Sequence, residues 1–513
     1  MTFETWSVTK ESRRFNKAII ASQNKLASEA GKQVLEQGGN AVDAAIAAAF
    51  AIGVVEPWQS GLGGVGKMVI KMAEESSASI IEFPAKSLSS INPDAYPLEG
   101  QGNAGMFKWP KVIGNKNIEG TNSVCIPGMV KGLGLAYSLY SNRPWHELLE
   151  PAISLSEKSL YVDPISSCKL LSISPGIDQY TELKKIFFDN NLPPVTNWLG
   201  EIPYIRNRKL TGTLKLLSEN GSDDFYFGAL SKKILKDCAD QGVNIGRPDL
   251  ENYEAYHFQS DPIKVGFDSL MYSSETTFSL RSIGKAITKV SHINSQNKPT
   301  SEYLGSVYRT LVESILHEDN KESESHSCTT HISCIDSSGN SVSLTITLLS
   351  LFGSKVMLPD TGIILNNGMM WFDPTPGKPN SIAASKIPPN NMYPTLMKSG
   401  NSIIAMGASG GRRILPCIAQ LIIQKSLFNI SADKILSWPR LDIDVDGAVV
   451  YEANSDYGFD LERFFSEYAL KQVHNSVNPN FFACPNIVEK DLKSGFCLGS
   501  SFPLSPVADV SGI

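Results

Sequence analysis

The stretch Thr329–Thr347, TTHISCIDSSGNSVSLTIT, decides how the rest of the 513-residue chain is read. Two runs of alternating residues flank Ser337, Ser338, Gly339 and Asn340, a turn composition, so the stretch predicts a β-hairpin. In the second run Ser341, Ser343, Thr345 and Thr347 fall on one face. Val342, Leu344, Ile346 and Leu348 fall on the other, as a period of two requires. If Asp336 pairs with Asn340 across a three-residue loop, with Gly339 as the left-handed residue, Thr329 stands opposite Thr347. Taken alone, such a hydroxyl face reads as the wet side of a half-buried strand. The preceding run, HEDNKESESHSC, is polar and charged with nothing to pack. It is expected to be an exposed loop that feeds straight into a strand beginning Thr-Thr-His.

Bulk properties narrow the function. With 42% hydrophobic residues the chain has ample material for a large core. A formal net charge of −6 argues against nucleic acid or an anionic membrane as the main partner, leaving a small molecule. The start, MTFETWSVTKESRRFNK, has no apolar core of signal-peptide length. The Ala-rich run after Gly39 contains Asp43 and is too short to span a bilayer, so a cytoplasmic location is expected. Eight cysteines (Cys125, Cys168, Cys238, Cys328, Cys334, Cys417, Cys484, Cys497) lie scattered, indicating neither a disulfide framework nor a zinc site. No His/Cys/Asp cluster has ligand spacing, and neither metal nor organic cofactor is expected.

From Asn24 to Gln37 apolar residues recur at helical spacing, and Gly38-Gly39 supplies a stop. Asn40 then reads as an N-cap, with Asp43 at the third helical position, for the run AVDAAIAAAFAIGVV, a helix apolar enough to be buried all round. Gly61, Gly63, Gly64 and Gly66 are followed by no GK[ST]; they imply tight turns and close backbone packing, not a phosphate loop. GTNSVCIPGMVKGLGLAYSLY and RPWHELLEPAISLSEK predict a punctuated turn leading into helices. No internal repeat, low-complexity tract or interdomain linker stands out.

The TTH motif, GGNAVDAAIAAAFAIGVVEPWQSGLGGVGKM, FGSKVMLPDTGIILNNGMMWFDPTPGKPNSI, KIPPNNMYPTL and MGASGGRRIL occur in an order that resembles the γ-glutamyltransferase family. The match weakens from Val162 to Ser327, where SSETTFSL stands in place of an expected Pro- and Gly-rich segment. The resemblance implies an α+β fold, the four-layer αββα sandwich of the N-terminal-nucleophile hydrolases. It also implies a precursor that cuts itself between Cys328 and Thr329. Residues 1–328 would form a large subunit and 329–513 a small one, woven into a single unit; a homodimer of that unit is left open.

A threonine hydroxyl needs a base, and an α-amine with a pKa of about 7.7–8.0 is matched to neutral pH. Cleavage before Thr329 puts nucleophile and base on one residue. Thr347, its expected cross-strand neighbour, would orient the hydroxyl, a role the resemblance also implies. Gly410 and Gly411 match the family's oxyanion-hole pair, where backbone amides approach a substrate without a Cβ in the way. His331 shares a face with Thr329, but with the amine as base it is expected to be structural. Cleavage before Cys328, with cysteine as nucleophile, is the rival placement.

Glutathione-using members hold a zwitterionic glutamyl head with an Arg, an Asp, an Asn and a pair of serines. The matching positions here are Pro84, Trp371, Leu349 and the pair Asn390-Asn391. An ammonium group without its carboxylate in a closed site costs several kcal/mol, roughly, so γ-glutamyl compounds are expected to be poor substrates. Lys86, Arg412 and Arg413 offer cations, with Asn390, Asn391 and Trp371, for a small amide bearing a carboxylate. The NNGMMWFDP segment looks like the branch containing oxamate amidohydrolase; cephalosporin acylases form another. The alternatives are a true γ-glutamyltransferase or glutathione hydrolase and, from another class, an unprocessed non-catalytic binding protein.

Overall fold

Two seven-stranded antiparallel sheets stack face to face with helices outside. The computed structural model describes residues 8–104, 109–189, 191–274, 278–291, 300–319, 328–453, 455–477 and 480–513. In the first sheet the order is Asp509–Gly512, Ile19–Ser22, Cys328–Ile335, Ser341–Leu349, Val65–Lys71, Ala78–Phe83 and Tyr256–Ser260. In the second it is Arg13–Phe15, Cys497–Ser501, Cys484–Asp491, Ser402–Ser409, Thr395–Ser399, Ser269–Tyr272 and Ile263–Val265. Each sheet draws strands from both sides of Thr329, so neither 1–328 nor 329–513 holds a complete sheet.

The hairpin forms the centre of the first sheet. Thr329 is paired with Thr347, His331 with Thr345 and Ser333 with Ser343. The turn closes as its residues dictate: Gly339 takes a φ of 90°, and the Asp336 carboxylate accepts from the backbone of Ser338 and Asn340. Its other oxygen accepts from the Ala41 N–H, tying the hairpin tip to the start of the Ala-rich helix. That helix, Ala41–Val55, is buried along its whole length and begins with the expected capping box of Asn40 and Asp43. Its small side chains lie against Ile332, Cys334, Val342, Leu344 and Ile346, the apolar face of the hairpin.

The opposite face is not wet. Every residue of Ser341–Leu349 is buried, and the hydroxyls point into the layer between the sheets, because the second sheet covers them. Ser343 Oγ donates to the Met406 carbonyl and accepts from the Thr395 N–H. To either side of Ser333 and Ser343 the same layer turns apolar, with Ala21, Val69, Ile335, Ala405 and Val488. Behind the second sheet, helices Phe278–Ser291, Ser301–Asp319 and Ile414–Ser426 pack on Met271, Met397, Ile404 and Ile487, completing four layers.

The expected loop before Thr329 is shorter than its composition suggests. Helix Ser301–Asp319 takes in residues 317–319, and Cys328 already belongs to the strand; residues 320–327 lie outside the described residues. In SSETTFSL, residues 275–277 lie outside them as well, and Phe278 begins a helix. The glycine-rich turn does what close packing asks of it. A Cβ on Gly63 would sit 2.1 Å from the Ile364 carbonyl oxygen, and one on Gly64 2.7 Å from that of Thr347.

Candidate active site

Thr329 and Thr347 are each 1% exposed, and the Thr329 hydroxyl donates to that of Thr347 across 3.4 Å. Thr347 Oγ1 also accepts from the Leu349 N–H at 2.8 Å, which fixes its rotamer. The ladder is irregular at this point: Cys328 pairs with Leu349 and Thr329 with Thr347, so Leu348 is an extra residue. Leu349 has a φ of 80°, a left-handed conformation that a leucine adopts only when its surroundings impose it. A bulge thus lies opposite the Cys328–Thr329 peptide bond.

Contacts between the sheets set the direction in which Ser402–Ser409 passes this end. Ser343, the partner of Ser333, bonds Met406. One step nearer Thr329, the His331 ring lies on Gly407, where an added Cβ would come within 2.1 Å of Cε1. Continuing that way, the strand brings Ser409 and then Gly410 toward the Thr329 end. Gly410 and Gly411 leave the strand with φ of 135° and 65°, values a side chain would disfavour, and lead into helix Ile414–Ser426. A Cβ on Gly410 would also meet the Ala483 Cα at 2.9 Å.

His331 is built as a structural group. Nδ1 lies 2.9 Å from Thr345 Oγ1 and Nε2 3.1 Å from Ser333 Oγ, with the Ser343 hydroxyl at 3.4 Å. Burial without a countercharge pulls its pKa down to about 3, so the ring is neutral near pH 7. Its backbone carbonyl is held by Asn486 Nδ2 at 2.8 Å.

The proposed pocket residues converge in part. Leu349 and Trp371 belong to one apolar cluster with Ala85 and Met392, the neighbours of Lys86 and Asn391. The cluster therefore gathers the Pro84–Lys86 segment, the end of the hairpin, Trp371 and the Asn390-Asn391 pair. Trp371 is 1% exposed, and its indole N–H has no hydrogen-bond partner among the described residues. Asn391 is buried, whereas Asn390 and Lys86 are half-buried. The expectation for Arg412 is corrected. Its guanidinium is buried against Asp442 at 3.5 Å and donates to the Ile443 carbonyl, so this cation is committed to holding the glycine turn. Arg413 joins the same carboxylate at 3.8 Å.

Two asparagines escaped the sequence reading. Asn366 Oδ1 accepts from the N–H groups of Cys125 and Gly368, and Nδ2 donates to the carbonyls of Gly63 and Cys125. Asn367 accepts from the Ser350 N–H and donates to Ile118 O and Ser350 Oγ. Together they lock the chain just past the hairpin to the glycine turn. They open the NNGMMWFDP segment, but no role was read from them, since the dipeptide before Gly368 also fits an ordinary turn. Among the described residues no group of three or more His, Cys, Asp or Glu side chains is arranged to hold a metal, and no helix is long and apolar enough to cross a membrane.

The chain is an N-terminal-nucleophile enzyme, a threonine hydrolase or acyltransferase of amide bonds. It belongs to the gamma-glutamyltranspeptidase family, whose model matches residues 27–271 and 279–464. It is 26% identical over 494 residues to the glutathione hydrolase proenzyme of Bacillus subtilis (strain 168), covering 85% of this chain and 82% of that one. It is equally 26% identical over 470 residues to the acylase ACY 1 proenzyme of Pseudomonas sp. (strain SE83), covering 83% and 82%. The crystal structure of cephalosporin acylase from Bacillus halodurans superposes with a TM-score of 0.81 at 19% identity, covering 100% of this chain and 99% of that one; it shares the fold.

Proposed function

We propose that the chain is a self-processing amidohydrolase whose nucleophile is Thr329. The observation that carries this reading is the buried pair of hydroxyls, Thr329 to Thr347 at 3.4 Å, at the start of a central strand beside a bulge. In the precursor, Thr329 Oγ1 attacks the carbonyl carbon of Cys328 and the peptide C–N bond breaks. That break moves the Cys328 acyl group onto Oγ1 and frees the Thr329 α-amine, which takes the hydroxyl proton; water then opens the ester, releasing the Cys328 carboxylate and restoring the hydroxyl. That amine then takes the hydroxyl proton as Thr329 attacks a substrate amide, and gives it to the leaving amine. Thr347 orients the nucleophile, and the N–H groups of Gly410 and Gly411 receive the oxyanion. The products of processing are residues 1–328 and 329–513.

The substrate is a small amide carrying a carboxylate and no α-ammonium, as in oxamate. Supporting this, Trp371 and Leu349 occupy an apolar cluster where glutathione-using relatives would hold a charged head, and Lys86 stands beside that cluster with no ion pair among the described residues. Asn390, Asn391 and the unpartnered Trp371 N–H supply further polar contacts. A second reading, glutathione hydrolysis, is favoured by the name of the Bacillus subtilis relative. Intact mass and N-terminal sequencing of the protein and of Thr329→Ala test the nucleophile. Two fragments beginning at residues 1 and 329, and an uncut variant, are expected; a new N-terminus at Cys328, or a wild-type chain that stays whole, would sink the proposal. Efficient glutamate release from a γ-glutamyl anilide, with oxamate ignored, would move the substrate assignment to the second reading.

A further inference from the structure

A buried carboxyl lies just behind the threonine pair. Glu56 ends the Ala-rich helix and is 1% exposed. It accepts a hydrogen bond from Gln59 Nε2, and the Gln59 carbonyl in turn accepts from the N–H of Leu348, the residue after Thr347, at 2.9 Å. On its other side the Asn24 side chain approaches the carboxyl and favours its charged form. Asn24 stands beside the nucleophile strand for a reason of register. Ser22 pairs with Ile332 as the last rung between Ile19–Ser22 and Cys328–Ile335, so the chain leaves the sheet at Gln23 and Asn24 alongside His331, Thr330 and Thr329. Asn24 also caps helix Lys25–Glu36 through Oδ1, which accepts from the Leu26 N–H. Gln23, the residue before Asn24, donates to Ser409 Oγ at 2.6 Å and to the Cys484 carbonyl at 2.9 Å. Ser409 precedes Gly410.

We infer that Glu56 is a positioning residue for the acyl-transfer site, clamping the backbone beside Thr329 to the backbone beside Thr347 and, through Gln23, steadying the strand that carries the oxyanion glycines. The inference rests on the proposed role of Thr329. One carboxyl with two amide donors is suited to this work because it spans two segments that no ladder bond joins. Burial raises the Glu56 pKa, against the opposing charge of Lys169, while Asp163 pushes it further up. Lys169 itself lies over the Trp58 ring at 5.6 Å.

The test uses full-length chains and follows self-cleavage by intact mass, corrected for the folded fraction read by circular dichroism. Wild type must first yield an N-terminus at Thr329; if it does not, the reading of Thr329 fails independently of Glu56. Given that cut, Glu56→Ala is expected to slow cleavage about tenfold to a hundredfold, the cost of a misplacement near 1 Å at a reacting group. Glu56→Gln, which keeps an acceptor, should fall between Ala and wild type. Should Glu56→Ala fail to fold, Gln59→Leu removes one arm alone and is expected to slow cleavage severalfold. Wild-type cleavage in folded Glu56→Ala or Gln59→Leu, or equal slowing in the Ala and Gln variants, would overturn the inference.

Discussion

The two faces of one hairpin are buried equally and built oppositely. Toward the helices, Ile332, Cys334, Val342, Leu344 and Ile346 meet the Ala-rich helix through dispersion and exclusion of water alone. Toward the second sheet, His331, Ser333, Ser343, Thr345, Thr329 and Thr347 meet partners at specific atoms, such as Met406 O and Thr395 N. The apolar face tolerates rearrangement, because any close packing of similar volume restores most of its energy. The polar face does not, because each buried donor or acceptor left without a partner costs about 1–3 kcal/mol. The catalytic geometry proposed for Thr329 and Thr347 lies on the face where a displacement of one atom is penalised.

Four measurements bear on that contrast. Thr329→Ala on the polar face should abolish self-cleavage and lower amide hydrolysis at least about ten-thousandfold, more than about 5 kcal/mol of transition-state stabilisation, read by mass and steady-state rate. His331 gives the next effect. Its folded pKa of about 3 lies below the unfolded 6.5, so the unfolded chain binds the extra proton. Its stabilisation is therefore complete above pH 6.5 and is lost as the pH falls toward 3, at about 1.4 kcal/mol per unit and about 5 kcal/mol in all. Denaturant melts of wild type and His331→Gln across that window should differ in slope by this amount. On the apolar face, Ile346→Ala should cost about 3 kcal/mol of stability, measured the same way, with the rate per folded molecule unchanged; a proportional loss of rate would erase the distinction between the faces. Lys86→Ala should raise KM for oxamate about tenfold, or about 1.4 kcal/mol, and leave kcat within about twofold.

Much of this was legible from local rules. The turn at Gly339, the pairing of Thr329 with Thr347 and the cap at Asn40 are decided within a few residues, where period, turn chemistry and capping act. What escaped depends on what lies opposite. Serine and threonine at alternate positions look the same whether water or a second sheet covers them, and only the packing of Ser402–Ser409 decided it. Arg412 looks like a cation beside Gly410 and Gly411 until Asp442, thirty residues on, claims it. Glu56 resembles an ordinary helix-terminal residue, since its partners Asn24 and Gln59 gain meaning only when the sheet edge and the hairpin meet there.

The interleaving of strands sets a direction in time. Because both sheets combine segments from before and after Thr329, an intact chain folds as one molecule with its strands covalently tethered. Were the proposed cut made, the same architecture would be a complex of two polypeptides, and recovering it from the unfolded state would become an encounter whose rate falls with dilution. Cleavage would then act as a ratchet: folding comes first, the cut follows because only the folded site can make it, and an enzyme that later unfolds at low concentration has no direct way back.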